Sequence, residues 1–461
     1  VQRKEDETWE SSSVLTPNRK SVVAILENSI GLAISKYALL NDEDALAVVD
    51  WMTNILYPEA LLSDKVEDVR KQDEDIKILE DNYDLKLNEI KEKIQKSYER
   101  FGFLPLDTPI IEDANVLLAK AGGETEKQIY RFNKGENDLA LRFDLTVPLA
   151  KYVSEYYGQL SFPFKRYQIG KVYRGEKAQA GRYREFYQCD VDIIGDGELN
   201  IIHDAEIPSI IYTTFKELGF EKFTIHINNR KILNGIFDEI GSTEKATEIL
   251  RIIDKIEKIG AEKVKEELKE LGLQDKETET IMNFIEIKGN NSEKINTLKS
   301  LEINSEIFKK GLEELEQVIN YIKVLGVPEN NFEIDLTIAR GLDYYTGTVY
   351  ETFLDDYKKL GSVCSGGRYE NLAEYYTDKK LPGVGLSIGL SRFFYQASKE
   401  GLFNSEKKSI SKVLVIPMTE NLEKCMEIAT TLRKEKINTE IYLADKKIKA
   451  KFKYAIYNSY W

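Results

Sequence analysis

Two stretches carry the residue types that chemistry needs. In "TIARGLDYYTGTVYE", residues 337–351, Arg340, Asp343, Tyr344 and Tyr345 sit between an apolar run, "FEIDLTI", and a β-branched, aromatic run, "TVYETF". That pattern sets a lone cation and two phenols at the mouth of a sheet. In "KVYRGEKAQAGRYREFYQCDVDIIG", residues 171–195, two strand-like runs flank a loop. Side chains alternate faces along a strand, so Arg174 and Glu176 share one face near the end of the first run, and Phe186 and Gln188 share one near the start of the second. A guanidinium suits a phosphate because its planar fork donates two hydrogen bonds and stays charged. An aromatic ring on the return strand can stack on a flat base. Taken alone, the same stretch also reads as a surface hairpin with scattered charges.

Composition narrows the chemistry. Two histidines, His203 and His226, leave little room for a His-rich metal site or multi-histidine catalysis, and both are read as structural. Cys189, Cys364 and Cys425 lie far apart and make no CxxC pair, which argues against structural zinc or a disulfide framework and fits a reducing cytoplasm. Cys189 and Cys364 read as small packing residues. Arginine, carboxylate and hydroxyl chemistry remain. The longest apolar stretch, near "VVAILENSIGLAIS", is broken by Glu27 and falls short of the roughly 20 residues a span needs, so a soluble chain with no membrane partner is expected. A net charge of −14 argues by itself against nucleic acid. Its distribution argues the other way, because from Lys165 to Arg184 seven Lys or Arg stand against one acid, Glu176.

The elements that must position these side chains can be outlined from hydrophobic pattern. A chain of 461 residues, 42% apolar and 31% charged, predicts two or three globular domains. Residues 1–84 form an N-terminal extension of unknown role, with Val22, Ile25, Leu26, Ala33 and Ile34 at the spacing of an amphipathic helix and a charged connector after it. Residues 87–101 recur at helical spacing, and Gly102 ends them as a C-cap. An extended segment, "FLPLDTPIIE", follows. The runs "LALRFDLTVPLAKYV", "FPFKRYQIGKVYR" and "EFYQCDVDIIG" read as strands of an antiparallel sheet in preference to a βαβ series. Residues 228–330 turn helical and Lys/Glu-rich, a module inserted between two sheet-forming regions. The sheet resumes at Phe332 and runs through "GSVCSGGRYENL" and "LPGVGLSIGLSRFFY". A linker over 401–412 precedes a β-α-β pattern over 413–461. The expected fold class is α+β.

In this order, "TPIIE", "VYRGE" followed by "GRYREF", and "GLSIGLSRF" resemble motifs one, two and three of class II aminoacyl-tRNA synthetases. "ARGLDYYTG" and "GGRYENL" resemble the two signatures peculiar to histidyl-tRNA synthetases. The resemblance runs from about Leu87 to Ala455. It implies a class II antiparallel-sheet core over residues 85–400, with the helical insertion, and an anticodon-binding domain after the linker. It also implies a two-step reaction: histidine and ATP give histidyl-adenylate and pyrophosphate, then the histidyl group passes to the terminal ribose of histidine tRNA. Mg²⁺ bridging the outer phosphates is the implied cofactor, with no metal site built from protein ligands. A homodimer is implied because motif one, with Pro109 central, lies at the two-fold interface of such enzymes.

The resemblance assigns roles residue by residue. Arg174 contacts the α-phosphate and the incoming carboxylate, Glu176 reads the adenine amino group, Phe186 stacks on one adenine face, and Arg392 holds the γ-phosphate and covers the other. Arg340 matches the family's distinctive arginine, which reaches the α-phosphate where related synthetases use a metal ion. Asp144, Thr146 and Gln188 take the substrate α-amino group. Tyr345 takes one imidazole nitrogen and Asp192 the other, with Tyr344 shaping the pocket; a site built on such bonds rejects analogues because its own polar groups would be stranded. The glycine pair Gly366 and Gly367 lets backbone approach a ligand closely. Lys177, Gln179 and Arg182 meet the tRNA acceptor end.

Three departures qualify the resemblance. A Lys-Gly-Thr-x-Asp-like strand that usually opens the family's catalytic domain is replaced by residues 1–84. Lys177 and Ala178 stand where the family often has Arg-Pro, which weakens bidentate contact and keeps the charge. The anticodon-binding domain, usually about 100 residues, is matched for about half its length. Adenylate formation with impaired tRNA charging is therefore the expectation. A histidine-sensing regulatory subunit of ATP phosphoribosyltransferase, which shares the core and lacks the anticodon domain, is the alternative; Arg340, Arg174, Arg392 and "QAGRYREF" count against it, since a sensor has no need of the ATP set. A third reading is an inert scaffold.

Overall fold

The structure is a computed structural model that describes residues 85–118, 123–176, 183–253, 255–338, 344–403, 409–418 and 422–458, with the backbone of residues 2–3 and 9–10. The chain divides into a unit over Val1–Lys77 and a unit over Ile78–Trp461. In the first, Gln2–Arg3 pairs antiparallel with Trp9–Glu10; the expected amphipathic helix around Val22–Ile34 lies outside the described residues. All that follows concerns the second unit.

A helix over residues 85–100 ends at Gly102, whose φ of +78° is the left-handed conformation expected of a C-cap. The chain then forms β1 (Leu104–Pro105), β2 (Ile111–Asp113), β3 (Arg131–Lys134), β4 (Asn137–Leu141), helix α1 (Thr146–Glu155), β5 (Phe164–Tyr173) and β6 (Glu185–Ile194). Helix α2 (Ile202–Leu218), β7 (Phe223–Asn229) and α3 (Arg230–Glu239) follow. The helices Ala246–Ile253, Ile256–Ile259, Ala261–Glu270, Asp275–Ile285 and Asn291–Ser300 lead to α4 (Glu306–Val324). The sheet resumes with β8 (Phe332–Ile334), β9 (Thr348–Leu354), β10 (Cys364–Tyr369) and β11 (Gly383–Ile388), closed by α5 (Leu390–Lys399). Last come β12 (Val413–Val415), α6 (Leu422–Lys434), β13 (Thr439–Ile441) and α7 (Ile448–Tyr457).

Eight strands form one sheet in the order β8-β7-β9-β10-β11-β6-β5-β1, antiparallel except for the pairs β8–β7 and β5–β1. Parallel neighbours need a long crossover, and the helices from α3 to α4 supply it between β7 and β8. β2, β4 and β3 make a separate three-stranded antiparallel sheet. β12 and β13 pair in parallel across α6, the β-α-β pattern expected from sequence.

The large sheet is covered on both faces. Alternation along β6 sends Cys189, Val191 and Ile193 into the main core with Ile94, Tyr98, Ile211 and Phe215. A second, smaller core holds Phe143, Val147, Leu149, Val153, Leu372 and Leu381, with Tyr344 and Tyr345 packed against it. Gln188, Asp190 and Asp192 of β6 face that second side.

One expected strand is a helix. The run "LALRFDLTVPLAKYV" leaves strand geometry at Leu141, and α1 begins at Thr146. Asp144 Oδ1 accepts the backbone N–H groups of Thr146 (3.0 Å) and Val147 (2.8 Å), meeting donors that a first helical turn leaves unpaired. Pro148 falls where no intrahelical N–H bond is made.

Candidate active site

The cavity forms where the sheet lacks side chains. Gly385 of β11 stands opposite Asp192 of β6, and Gly367 of β10 stands opposite Gly385. A Cβ on Gly385 would lie 2.4 Å from Asp192 Oδ1, and one on Gly367 would lie 3.0 Å from the Tyr345 ring. Gln188, Asp190 and Asp192 line the floor with Ser387, while Asp144, Thr146, Arg174, Tyr344, Tyr345 and Tyr369 form the walls. The cleft encloses about 330 Å³, counting the solvent at its mouth.

Its floor is ionic and buried. Arg166 of β5, with no exposed surface, bridges the Leu145 carbonyl and Asp192, each at 2.8 Å. Tyr369 donates its hydroxyl to Asp192 Oδ1 at 2.7 Å. Burial raises the Asp192 carboxyl to about 6 against the pull of Arg166 and Tyr369, and raises Asp190 to about 7 against Arg166 and Ser387. Burial also raises Asp144, with the Val147 and Thr146 amides and Arg174 opposing it. Tyr344 and Tyr345 are pushed well above the ordinary phenol value by burial, so both remain hydrogen-bond donors. Tyr344 meets Tyr345 and Tyr369 edge to face, with centroids 5.1 and 5.8 Å apart.

At the other end of the cleft, Arg174 lies with its guanidinium 4.3 Å from the Phe143 ring centroid and 5.2 Å from that of Phe186. Its Nε donates to the Phe143 carbonyl at 3.2 Å. Burial lowers its pKa, and the charges of Asp144 and Glu176 oppose that shift; a guanidinium stays protonated at any working pH. Its terminal amino groups are left for the cleft, because the ring contacts and Nε bond fix the rest.

Eight of the sequence-expected residues therefore share one cavity: Asp144, Thr146, Arg174, Gln188, Asp192, Tyr344, Tyr345 and Gly367. Phe186 adjoins through Arg174, and Glu176 follows two residues along, its carbonyl accepting from Arg184 Nε at 3.4 Å. Arg392 is exposed on the first turn of α5 and is not among the cavity-lining residues; its neighbour Ser391 accepts the Tyr187 backbone N–H at 2.9 Å, tying α5 to β6. Arg340, Lys177, Gln179 and Arg182 lie outside the described residues. The basic run from Lys165 to Arg184 is not one surface stripe: Arg166 is buried, and Lys165 and Lys171 pair with Glu206 and Glu185.

Both histidines lie away from the cleft. His203 Nδ1 meets Glu206 at 2.9 Å, and His226 meets Asp335 at 2.7 Å and Glu333 at 3.2 Å. Sequence reasoning passed over Arg166, Asp190, Tyr369, Gly385 and Ser387. The signal for two of them was present, since Gln188, Asp190 and Asp192 recur at period two in an otherwise apolar run, opposite Gly170, Gln168 and Arg166.

Comparison with known proteins agrees with this geometry. A family model described as histidyl-tRNA synthetase matches residues 80–393, and one described as anticodon binding domain matches 412–459. The histidine–tRNA ligase of Clostridium tetani is 61% identical over 369 residues, 80% of this chain and 84% of its own length. That of Finegoldia magna is 48% identical over 366 residues, 79% of this chain and 84% of its own. The crystal structure of histidyl-tRNA synthetase from Nostoc sp. PCC 7120 superposes with a TM-score of 0.74 at 39% identity, covering 81% of this chain and 86% of that one. A Bacillus halodurans structure described as an ATP phosphoribosyltransferase regulatory subunit/histidyl-tRNA synthetase shares the fold, with a TM-score of 0.67 at 22% identity over 80% of this chain and 92% of that one. Identity this high across the segment that builds the cleft settles the family, and the chain belongs to the histidyl-tRNA synthetases, enzymes with histidine–tRNA ligase activity.

Proposed function

We propose that the cleft binds L-histidine at its closed end and the phosphates of Mg²⁺-bound ATP at the Arg174 end, so that the first half-reaction occurs between them. A histidine carboxylate oxygen attacks the α-phosphorus, the bond to the bridging oxygen breaks, and pyrophosphate leaves with that electron pair. The ribose hydroxyl of histidine tRNA then attacks the adenylate carbonyl carbon, and AMP leaves. Positioning and charge stabilisation carry the first step, because the carboxylate is already a competent nucleophile.

Within this reading, Asp144, Thr146 and Gln188 receive the substrate α-ammonium, Asp192 and Tyr345 hold the two imidazole nitrogens, and Tyr344 braces Tyr345. Arg174 and Arg340 stabilise charge at the α-phosphate, Phe186 and Glu176 read adenine, and Arg392 serves the γ-phosphate. Mg²⁺ enters as part of the nucleotide substrate, since it takes most of its ligands from phosphate oxygens and water; among the described residues no three metal-binding side chains gather. Lys177, Gln179 and Arg182 meet the acceptor end of the tRNA, and the match over 412–459 supports anticodon contact. A two-fold dimer through motif one is supported by the exposed apolar side chains Leu104, Ile110, Ile111 and Phe132 around it. Free cysteines at 189, 364 and 425 fit a cytoplasmic setting, and no helix among the described residues is long and apolar enough to cross a membrane. We assign residues 85–400 to the core, with 228–330 inserted, 401–412 to a linker and 413–461 to the C-terminal domain.

The observation that carries this reading is Arg174: a guanidinium braced by two aromatic rings shares one cleft with Asp144, Asp192 and the phenols of Tyr344 and Tyr345. Histidine-dependent exchange of labelled pyrophosphate into ATP tests it. Arg174→Ala is expected to lower the exchange rate about 100-fold or more, with histidine affinity nearly unchanged. Exchange at the wild-type rate in that variant would remove Arg174 from the phosphate site.

A further inference from the structure

The roles above leave one cavity acid unused. Asp190 is 3% exposed, lines the floor between Gln188 and Asp192, and stands opposite Ser387 of β11 and Gln168 of β5. Gln188 Nε2 donates to Ser387 Oγ at 2.7 Å, and the Ser387 hydroxyl, across the strand pair from Asp190, lowers the pKa of the Asp190 carboxyl. Three buried acceptors on this floor have no hydrogen-bond partner among the described residues, Gln188 Oε1, Asp190 Oδ1 and Asp192 Oδ2, and the first two sit side by side at the Ser387 end. Unmet buried acceptors of this kind each cost about 1–3 kcal/mol, more when charged. At Asp192, Oδ1 is met by the Tyr369 hydroxyl and the Oδ2 charge is offset by Arg166 at 2.8 Å, which leaves that oxygen to the single N–H of an imidazole.

Two adjacent unmet acceptors, one of them a carboxylate, call for a cation with more than one N–H. Of the groups on a histidine substrate, the carboxylate is repelled and the neutral imidazole offers a single N–H. The α-ammonium offers three. Resting on the reading that the cleft takes histidine, we propose that Asp190 is a second anchor for the substrate α-ammonium, sharing it with Gln188 and fixing the amino acid by its charged end. A specificity consequence follows: ligands that lack the ammonium leave both acceptors stranded.

The surroundings make this anchor pH-sensitive. Arg166 from β5, Asp192 from β6, Asp144 before α1, Ser387 from β11, and Arg174 and Tyr345 from the walls all face or act on the Asp190 carboxyl; Tyr98, Cys189 and Cys364 act on it from the far side of β6 and stay protonated. Burial pushes Asp190 up to about 7, so in the free chain near neutral pH it is partly protonated. An arriving ammonium favours the carboxylate, and histidine binding there releases a proton.

Calorimetric titration of the full chain, wild type and Asp190→Asn, with L-histidine and with 3-(imidazol-4-yl)propanoate, which lacks the amino group, tests the proposal. Asp190→Asn is expected to weaken L-histidine about 10- to 100-fold and the deaminated analogue by less than about threefold. Wild-type affinity for histidine should rise with pH through about 7 beyond the part contributed by the substrate imidazole, and Asp190→Asn should lose that increment. Equal weakening of both ligands would overturn the proposal and make Asp190 a structural partner of Arg166; unchanged histidine affinity would overturn it outright. Ser387→Ala provides a second route if Asp190→Asn does not fold: loss of the hydroxyl that lowers the Asp190 pKa should move the pH midpoint of histidine binding upward, and an unmoved midpoint counts against Asp190. A wild-type chain that does not bind histidine would overturn the reading of the cleft, and the proposal with it.

Discussion

Buried acids are costly to keep, and this site keeps three. Asp144, Asp190 and Asp192 all have carboxyls raised by burial. A raised acid binds more protons in the folded state than in the unfolded one, so between its ordinary value near 4 and its folded value each such group takes stability away as pH rises. On the proposed reading, that cost holds a cation-seeking floor ready before substrate arrives. Gly385 is the residue that makes room for it. Its missing side chain leaves space for Asp192 Oδ1 and the Val191 carbonyl, both of which a Cβ would approach to 2.4 Å. Neither is the far end of a flexible chain, since Asp192 is pinned by Arg166 and Tyr369. Gly385→Ala is therefore expected to displace the Asp192 carboxylate and raise the KM for histidine about tenfold or more, while the KM for ATP changes little. Steady-state pyrophosphate exchange with each substrate varied in turn would check it, and equal effects on both constants would contradict it.

At the scale of elements, the legible and the illegible parts of the fold separate for a physical reason. Period-two alternation makes β5 and β6 readable, and the motif order groups eight of the cavity residues. Alternation tells which residues share a face, yet it does not tell which face looks into a cleft when both are buried, and so Arg166 and Asp190 went unnoticed. The helix α1 was misread because its apolar residues, Val147, Leu149, Ala150 and Val153, satisfy a strand pattern almost as well; the Asp144 side chain decides the matter by capping the turn. Likewise, Arg368 of "GGRYENL" was read only for its glycines. It donates to Asp204 at 2.6 and 3.0 Å, and Thr348 donates to the same carboxylate at 2.6 Å, so one buried pair ties α2 to β9 and β10 beneath the cleft. Arg368→Met strands Asp204 as a buried charge and should cost about 3–5 kcal/mol in urea unfolding. Adding Asp204→Leu should restore much of that loss, since what hurts is the uncompensated partner and not the missing bond.

On the scale of the whole molecule, the segment that lines the cleft and the segment matching the anticodon-binding family differ in charge and in core. Every cavity-lining residue falls between Asp144 and Ser387, and neither hydrophobic core includes a residue beyond Phe403. The segment from Lys412 to Asn458 has a different character: ten Lys or Arg stand against six Asp or Glu, in a chain whose total is −14. Among its described residues only Pro417, Ala429, Thr439 and Ala455 are buried, while Met418, Leu422, Ile448 and Ile456 stay exposed. On the proposed reading, a basic segment with little core of its own would draw its affinity from tRNA phosphates, and that gain would fall with salt. A chain ending at Phe403 should then retain histidine-dependent pyrophosphate exchange within about threefold, because no packed side chain of the core is lost. It should charge histidine tRNA about 100-fold less efficiently, mostly through KM, with a shallower salt dependence than the full chain. Exchange that disappears with the deletion would mean that the C-terminal segment supports the cleft; charging that survives it would mean that the acceptor-end contacts around Lys177 and Arg182 suffice.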